Sequence, residues 1–285
     1  PTEPRQFMLN KRSLIKFFQK TPIGFFGSMF VVLLIIVAVF APYFSLYDPI
    51  IQDYQRFTPP NINHWLGTDS LGRDIYSRII HGTRVSMFVG LLAVTIALLS
   101  GTIVGIISGY YGGRIDTILM RFIDILLAFP GLVLAMLISG LLGPSLVNAM
   151  IAVGIMLTPS FARVSRGSVL SVKNEPYIAS ARIIGCSDLY IIFHYILPNI
   201  MVPLSVLFSI SLSIAILAES ALSFLGLGIQ PPSPSWGGML HHGRLYMEIA
   251  PWVAVFPGLA IMIAVLSFNF LGDGLRDALD PKLKN

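Results

Sequence analysis

Two carboxylates, Asp124 and Glu219, fall within or near long apolar stretches of this chain. A charge at the centre of a bilayer costs about 2.5–3.5 kcal/mol on insertion scales, so each must face protein or water. Asp124 follows Arg121 by three residues, one helical turn, and the spacing predicts a local ion pair. The alternative role for Asp124 is a place on a transport path. Glu219 has no basic neighbour in sequence. It either lines the outer mouth of such a path, where it would meet an ammonium group, or makes an interhelical hydrogen bond. Other chemistry is thinly supplied. The chain has no GxSxG, HExxH or CxxC motif, so no catalytic residue is expected. Lys20-Thr21 is the only lysine followed by Ser or Thr, and no glycine loop precedes it, so no loop cradles nucleotide phosphates. His241 and His242 are adjacent, and adjacent residues do not share a helix face, so no metal site is expected.

The elements that must position these groups are membrane helices. The chain is 55% hydrophobic and 12% charged, with mean hydropathy +0.78. A soluble domain carries about 25% charged residues. The net charge of +5 reads as membrane orientation rather than nucleic-acid binding. Cys186 is the single cysteine, so no intrachain disulfide forms. The apolar run from Ile23 is too long for a cleavable leader and lacks a small-residue cleavage pattern.

Six spans are expected: Ile23 to Phe44, Val85 to Tyr110, Ile118 to about Leu142, Leu146 to Phe161, Ile200 to about Leu222, and Trp252 to about Phe270. Around them lie a basic segment (1–22) with a possible lead-in helix from Lys11 to Gln19, a polar excursion (45–84), and a tail (276–285). The core is 85–275, with a polar loop at 163–198. Within the excursion, Asp74 is expected to cap a short helix over Ile75 to Ile80. Gly101, Gly105 and Gly109 repeat at i, i+4 and form a ridge that another helix can approach closely. Pro130-Gly131 should kink the third span. Segments on the N-terminal side of the membrane carry fourteen of the nineteen Lys and Arg residues, which predicts cytoplasmic termini.

The loop from Asn174 to Pro198 reads as helical without being apolar all round. Pro176 suits a first helical position, with Asn174 or Glu175 as cap. Tyr177, Ala181 and Ile184 share a face. Ala179, Ser180 and Ala181 are small and allow close approach. Gly185 should end this helix. Ser187 or Asp188 should cap a second helix to Leu197, with Pro198 marking its end. This helix–glycine–helix shape suits a docking element.

That stretch resembles the cytoplasmic EAA loop of ABC-importer permeases. The triplet is Ala179-Ser180-Ala181, followed in register by Gly185 and Leu197-Pro198. Ala179 replaces the family's glutamate and Tyr195 its isoleucine. Gly67 to Arg78 (GTDSLGRDIYSR), Ser223 to Gly238 (SFLGLGIQPPSPSWGG) and Leu271 to Pro281 (LGDGLRDALDP) resemble the "C" permease subunits of dipeptide, oligopeptide and nickel importers. The resemblance implies an all-α integral membrane protein with the type I importer permease fold and an extracytoplasmic cap after the first span. It implies a bacterial inner-membrane location. It also implies partners: a homologous "B" permease, two ATPase subunits that bind ATP and magnesium, and an extracytoplasmic binding protein. Glu175, Ala179, Ser180, Ala181, Gly185, Leu197 and Pro198 would then dock the ATPase. Short peptides, including glutathione-like tripeptides, are the first expectation for substrate. Nickel or a metal chelate is the second. An ion-driven secondary transporter is a remote rival, because it expects internal repeats with paired broken helices.

Overall fold

The computed structural model describes residues 22–279. The basic segment before them, with the lead-in helix expected over Lys11 to Gln19, and the chain from residue 280 onward lie outside the described residues. Among the described residues there are helices and one isolated β-bridge, Thr68 to Asp74, but no strand.

The first apolar run forms α1 (Pro22–Val39) and, after a turn at Phe40, a short α2 (Ala41–Phe44). The excursion leads into α3 (Ile75–Tyr111), then come α4 (Gly113–Leu127), α5 (Gly131–Leu142) and α6 (Leu146–Val172). The helix–glycine–helix segment holds α7 (Pro176–Ile183) and α8 (Asp188–Ile191). A π-helical turn over Ile192–Ile196 joins α8 to α9 (Leu197–Phe224). The chain closes with α10 (Trp236–Gly243), a 3₁₀ turn (Arg244–Tyr246) and α11 (Trp252–Leu279). Four helical stretches are long and apolar enough to cross a membrane: Ile75–Tyr111, Leu146–Val172, Asp188–Phe224 and Trp252–Ala278. A broken pair, α4 with α5, adds a fifth candidate, and α1 is a shorter apolar helix.

Several boundaries differ from those expected, each for a local reason. The second span does not begin at Val85 after a separate short helix. Asp74 accepts a hydrogen bond from Ser77 N at 2.8 Å, and one helix runs from there to Tyr111. Its polar first turns persist because partners outside the helix satisfy them: Arg78 donates to the Pro49 carbonyl at 2.7 Å. Pro130-Gly131 does more than kink the third span. It turns α5 by 89° from α4, as a proline that removes a backbone donor allows. The fourth span continues past Phe161 to Val172, and the sixth continues past Phe270 to Leu279. Pro198 does not end a helix. It lies in the first turn of α9, and Leu197 N bonds back five residues to Ile192 O. The π turn carries the helix through a residue that has no N–H to give.

The most extensive helix–helix contact in the fold is between α3 and α6. A Cβ added at Gly101 would lie 2.5 Å from Phe161 Cβ, and one at Gly105 would lie 2.5 Å from both Ala162 O and Ser165 Cβ. At Gly109 the nearest atom is Val169 Cβ, at 2.9 Å. The ridge is reciprocated from α6, where a Cβ on Gly154 would meet Ile96 Cγ2 at 2.8 Å. Ser100 and Thr158 share a hydrogen bond of 2.8 Å across the seam. Lipid is as apolar as leucine, so this helix pair is held by close packing and polar bonds rather than by exclusion of water. Similarly, Gly27 in α1 lies against Phe270 and Leu271 in α11.

A leucine at Gly105 cannot be absorbed here, because its Cβ would meet backbone as well as side chain. Gly105→Leu should lower thermal stability in detergent by about 1–3 kcal/mol, the usual range for overpacking. Gly140→Ala is the control, because nothing lies within 4 Å of that position. Equal melting temperatures for the two variants would contradict the packing described.

Candidate functional site

The helix–glycine–helix segment begins at Lys173, which caps α6. Glu175 is the N-cap residue of α7 by backbone position, yet its side chain makes no capping bond. Pro176 fills the first turn as expected. The buried face of α7 is not the expected Tyr177–Ala181–Ile184 face. Ile178 and Ala181 are enclosed, while Tyr177 and Ile184 are exposed. The reason is the short length of α7: Ile184 already belongs to its C-terminal turn. Ala179 and Ser180 face outward. Gly185 ends the helix at φ +88°, a conformation that favours glycine, and Cys186 N bonds back to Ala181 O at 3.0 Å. Ser187, rather than Asp188, caps α8 through Tyr190 N.

The outcome is a segment with large apolar side chains left exposed in this chain. Ile183 is 87% exposed and Ile184 80%, with Leu189 and Phe193 beside them in sequence and also exposed. Ile191, Ile192 and Ile196 are buried and anchor the segment to the helical core.

Polar contacts tie this segment to the end of α3. Tyr110 donates to Asp188 Oδ1 at 2.7 Å, and the Arg182 guanidinium lies 5.3 Å from the Tyr110 ring centre. Lys173 Nζ donates to the Gly109 carbonyl at 2.8 Å, placing a cation at a helix C-terminus. Farther along α6, Arg166 makes two bonds of 2.6 Å to the Asp116 carboxylate, which also accepts from Ser108. Tyr110, Lys173 and Asp116 were not singled out from sequence. Their partners lie 50 to 78 residues away, so no local pattern announces them.

The two candidate path residues fall in separate clusters. Asp124 does not pair with Arg121. Its partner is Arg163 on α6, at 2.8 Å and half exposed. Both line a charged cleft of about 530 Å³ that also holds Arg121, Asp116 and Arg166. Glu219 is fully enclosed and accepts from Ser223 at 2.8 Å and from Ser86 of α3 at 3.3 Å. In this conformation it therefore serves as an interhelical hydrogen-bond acceptor and does not line an open mouth. His241 Nδ1 lies 2.5 Å from the Phe224 carbonyl, and the two adjacent imidazoles are edge-on. Among the described residues no three His, Cys, Asp or Glu side chains converge as metal ligands would.

An all-helical chain with several helices long and apolar enough to cross a membrane, interrupted by a helix–glycine–helix segment, has the architecture expected of a transport permease. Residues 101–285 match the family described as binding-protein-dependent transport system inner membrane component, and residues 12–60 match the N-terminal transmembrane domain of oligopeptide transport permease C. The chain belongs to the binding-protein-dependent transport system inner membrane component family. It is 49% identical over 261 residues to the glutathione transport system permease protein GsiD of Pectobacterium atrosepticum, covering 91% of this chain and 87% of that one. It is 46% identical over 276 residues to the dipeptide transport system permease protein DppC of Alkalihalophilus pseudofirmus, covering 96% and 90%. The di/tripeptide transport system permease protein DppC of Pseudomonas aeruginosa is 46% identical, with 91% and 88% covered. Among solved structures, a chain of the MetNI methionine ABC transporter shares the fold at TM-score 0.58 and 16% identity, over 71% of this chain and 96% of that one. The family and fold expected from the four signature stretches are thus met.

The geometry at Glu219 makes a measurable distinction. Glutamine can accept from one serine and donate to the other, whose hydroxyl then turns to accept, so Glu219→Gln should shift unfolding by less than about 1 kcal/mol. Glu219→Leu strands two buried hydroxyls and should cost about 1–3 kcal/mol. Thermal unfolding in detergent reads both. A glutamine variant as unstable as the leucine variant would show that the site needs a charge.

Proposed function

We propose that this chain is one of two membrane subunits of an ATP-driven importer of short peptides, forming one wall of the translocation path. The observation that carries the reading is the exposed apolar segment at Ile183, Ile184, Leu189 and Phe193, tied by Tyr110, Asp188 and Lys173 to a helix that runs the length of the molecule. Such a segment has the chemistry to enter a groove on an ATPase subunit. Because Ala179 stands where the resemblance expects glutamate, the contact at that position is apolar and small rather than ionic. The docking residues are Glu175, Ala179, Ser180, Ala181 and Gly185. Leu197 and Pro198 sit at the π turn that joins the dock to α9. The distribution of Lys and Arg supports cytoplasmic termini and a cytoplasmic dock.

Closure of the ATPase pair, on binding ATP and magnesium, would push α7 and α8 together with the Gly185 turn that joins them. The Tyr110–Asp188 and Lys173–Gly109 bonds carry that push into α3, and the glycine seam carries it from α3 to α6. A homologous permease supplies the facing wall, and an extracytoplasmic binding protein delivers the substrate. This chain itself makes and breaks no covalent bond. The names of its relatives, which transport glutathione, dipeptides and tripeptides, support a peptide cargo.

Uptake of a labelled dipeptide in cells with and without this subunit tests the reading, with unlabelled tripeptide, glutathione and Ni²⁺ as competitors. Deletion should abolish dipeptide uptake, and only the peptides should compete. Intact dipeptide uptake with lost nickel accumulation would move the protein to metal import.

A further inference from the structure

At the end of α3 remote from the docking segment, a second cavity is built from the two signature stretches that the coupling account leaves unused. From Arg78 to Tyr110 the helix rises about 48 Å. The cavity has a volume of about 280 Å³ and lies between the excursion and the segment 223–242. Arg73 and Arg78 line it from one side, His241 and His242 from another, and Gln230 and Ser233 stand among its neutral lining.

Its charge is unbalanced. Asp69 accepts from Arg73 Nε at 2.7 Å, and the same carboxylate oxygen lies 3.8 Å from Arg78 Nε. One carboxylate thus serves two guanidinium groups. Asp69 is further occupied by the backbone N–H groups of Leu71 and Arg73. The Arg78 side chain is only 5% exposed, and its Nε has no hydrogen-bond partner among the described residues. A buried guanidinium donor left without an acceptor is costly and therefore rare. Burial, and then His241, Arg73 and Arg78, push the His242 imidazole below its ordinary pKa, with Asp69 opposing.

We propose that this cavity receives the terminal carboxylate of a small peptide, as a station on the outer face before translocation. The proposal rests on the peptide-import reading. A carboxylate accepts from a guanidinium in a planar, often two-bonded geometry, and it would balance the two guanidinium groups that share the single Asp69 carboxylate. The volume falls just under the range of about 300–1,000 Å³ typical of drug-sized sites, so it suits the end of a short peptide. The same lining repels a divalent cation, which sets this station against nickel as cargo.

Thiol labelling in the complete transporter, held in lipid nanodiscs, tests this. Cys186→Ser removes the native thiol of the chain, and Ser233→Cys places one in the cavity wall at an exposed, near-isosteric position. The subunit is treated with thiosulfonate reagents of similar size, one carrying a sulfonate and one a trimethylammonium group, with a free small thiol as reference. The sulfonate reagent should be favoured about tenfold relative to the reference thiol. Millimolar dialanine should slow it several-fold, and dialanine amide should not. Arg78→Gln should remove the preference. If that variant fails to assemble, the dialanine protection still decides. Equal rates for the two reagents would overturn the proposal. So would protection by substrate-free binding protein and not by dialanine, which would make the cavity a docking point. Dialanine uptake by the same complex in proteoliposomes is measured in parallel. Uptake without protection removes the station alone, whereas no uptake removes the peptide reading beneath it.

Discussion

Helices in a bilayer gain nothing by hiding apolar surface from one another, so their association depends on how closely their backbones can approach. The glycine seam between α3 and α6 meets that constraint. At Gly101 and Gly105 even a methyl group would collide with the facing backbone. The serine–threonine bond beside it adds a polar tie that lipid cannot compete for. With the seam closed, α3 becomes a rod joined to α6 along its C-terminal half. The remaining elements are arranged around that pair: α9 beside it, and α11 against α1 and α9.

The rod matters because its two ends carry different chemistry. One end is gripped by Asp74, His64 and the aromatic cluster of Tyr47, Tyr54 and His64, whose rings lie 4.7 to 5.0 Å apart. The other end is gripped by Asp188, Arg182 and Lys173 of the docking segment. A displacement of α7 and α8 therefore reaches α3 through short, charge-assisted bonds rather than through a flexible loop. Continuity of α8 with α9 through the π turn gives a second rigid route from the dock into the membrane. π turns of this kind are frequent at functional sites.

Much of this was legible in the residues, and the parts that were not share a cause. The glycine ridge shows itself by its i, i+4 repeat. Gly185 shows itself by its place between two capped helices, and Pro130-Gly131 by the missing donor. Each is a local pattern, and each holds. The Arg121–Asp124 pair failed because spacing reports only on neighbours in one helix, whereas Arg163 approaches from another. The start of α3 was misplaced because residues 45–84 were read as one polar excursion, with Ile75 to Ile80 as a separate short helix. Contacts from Pro49 and Asp69 make Arg78 tolerable there. Pro198 looked like a terminator because the π turn that accommodates it leaves no mark in the composition. The link from Tyr110 to Asp188 was invisible for the same reason as Arg163: it is purely tertiary.

The central claim is that the hinged segment from Pro176 to Ile196 docks an ATPase subunit and passes its motion to the rod. The most direct measurement places a photo-crosslinking amino acid at Ile184 in the intact transporter in membranes, with the same probe at Ile62 in the excursion as the opposite-face reference. Both positions are exposed in this chain. The account predicts a covalent product between this chain and the nucleotide-binding subunit from Ile184, changing in yield when ATP is added, and none from Ile62. A product with the nucleotide-binding subunit from Ile62 and not from Ile184 would contradict it.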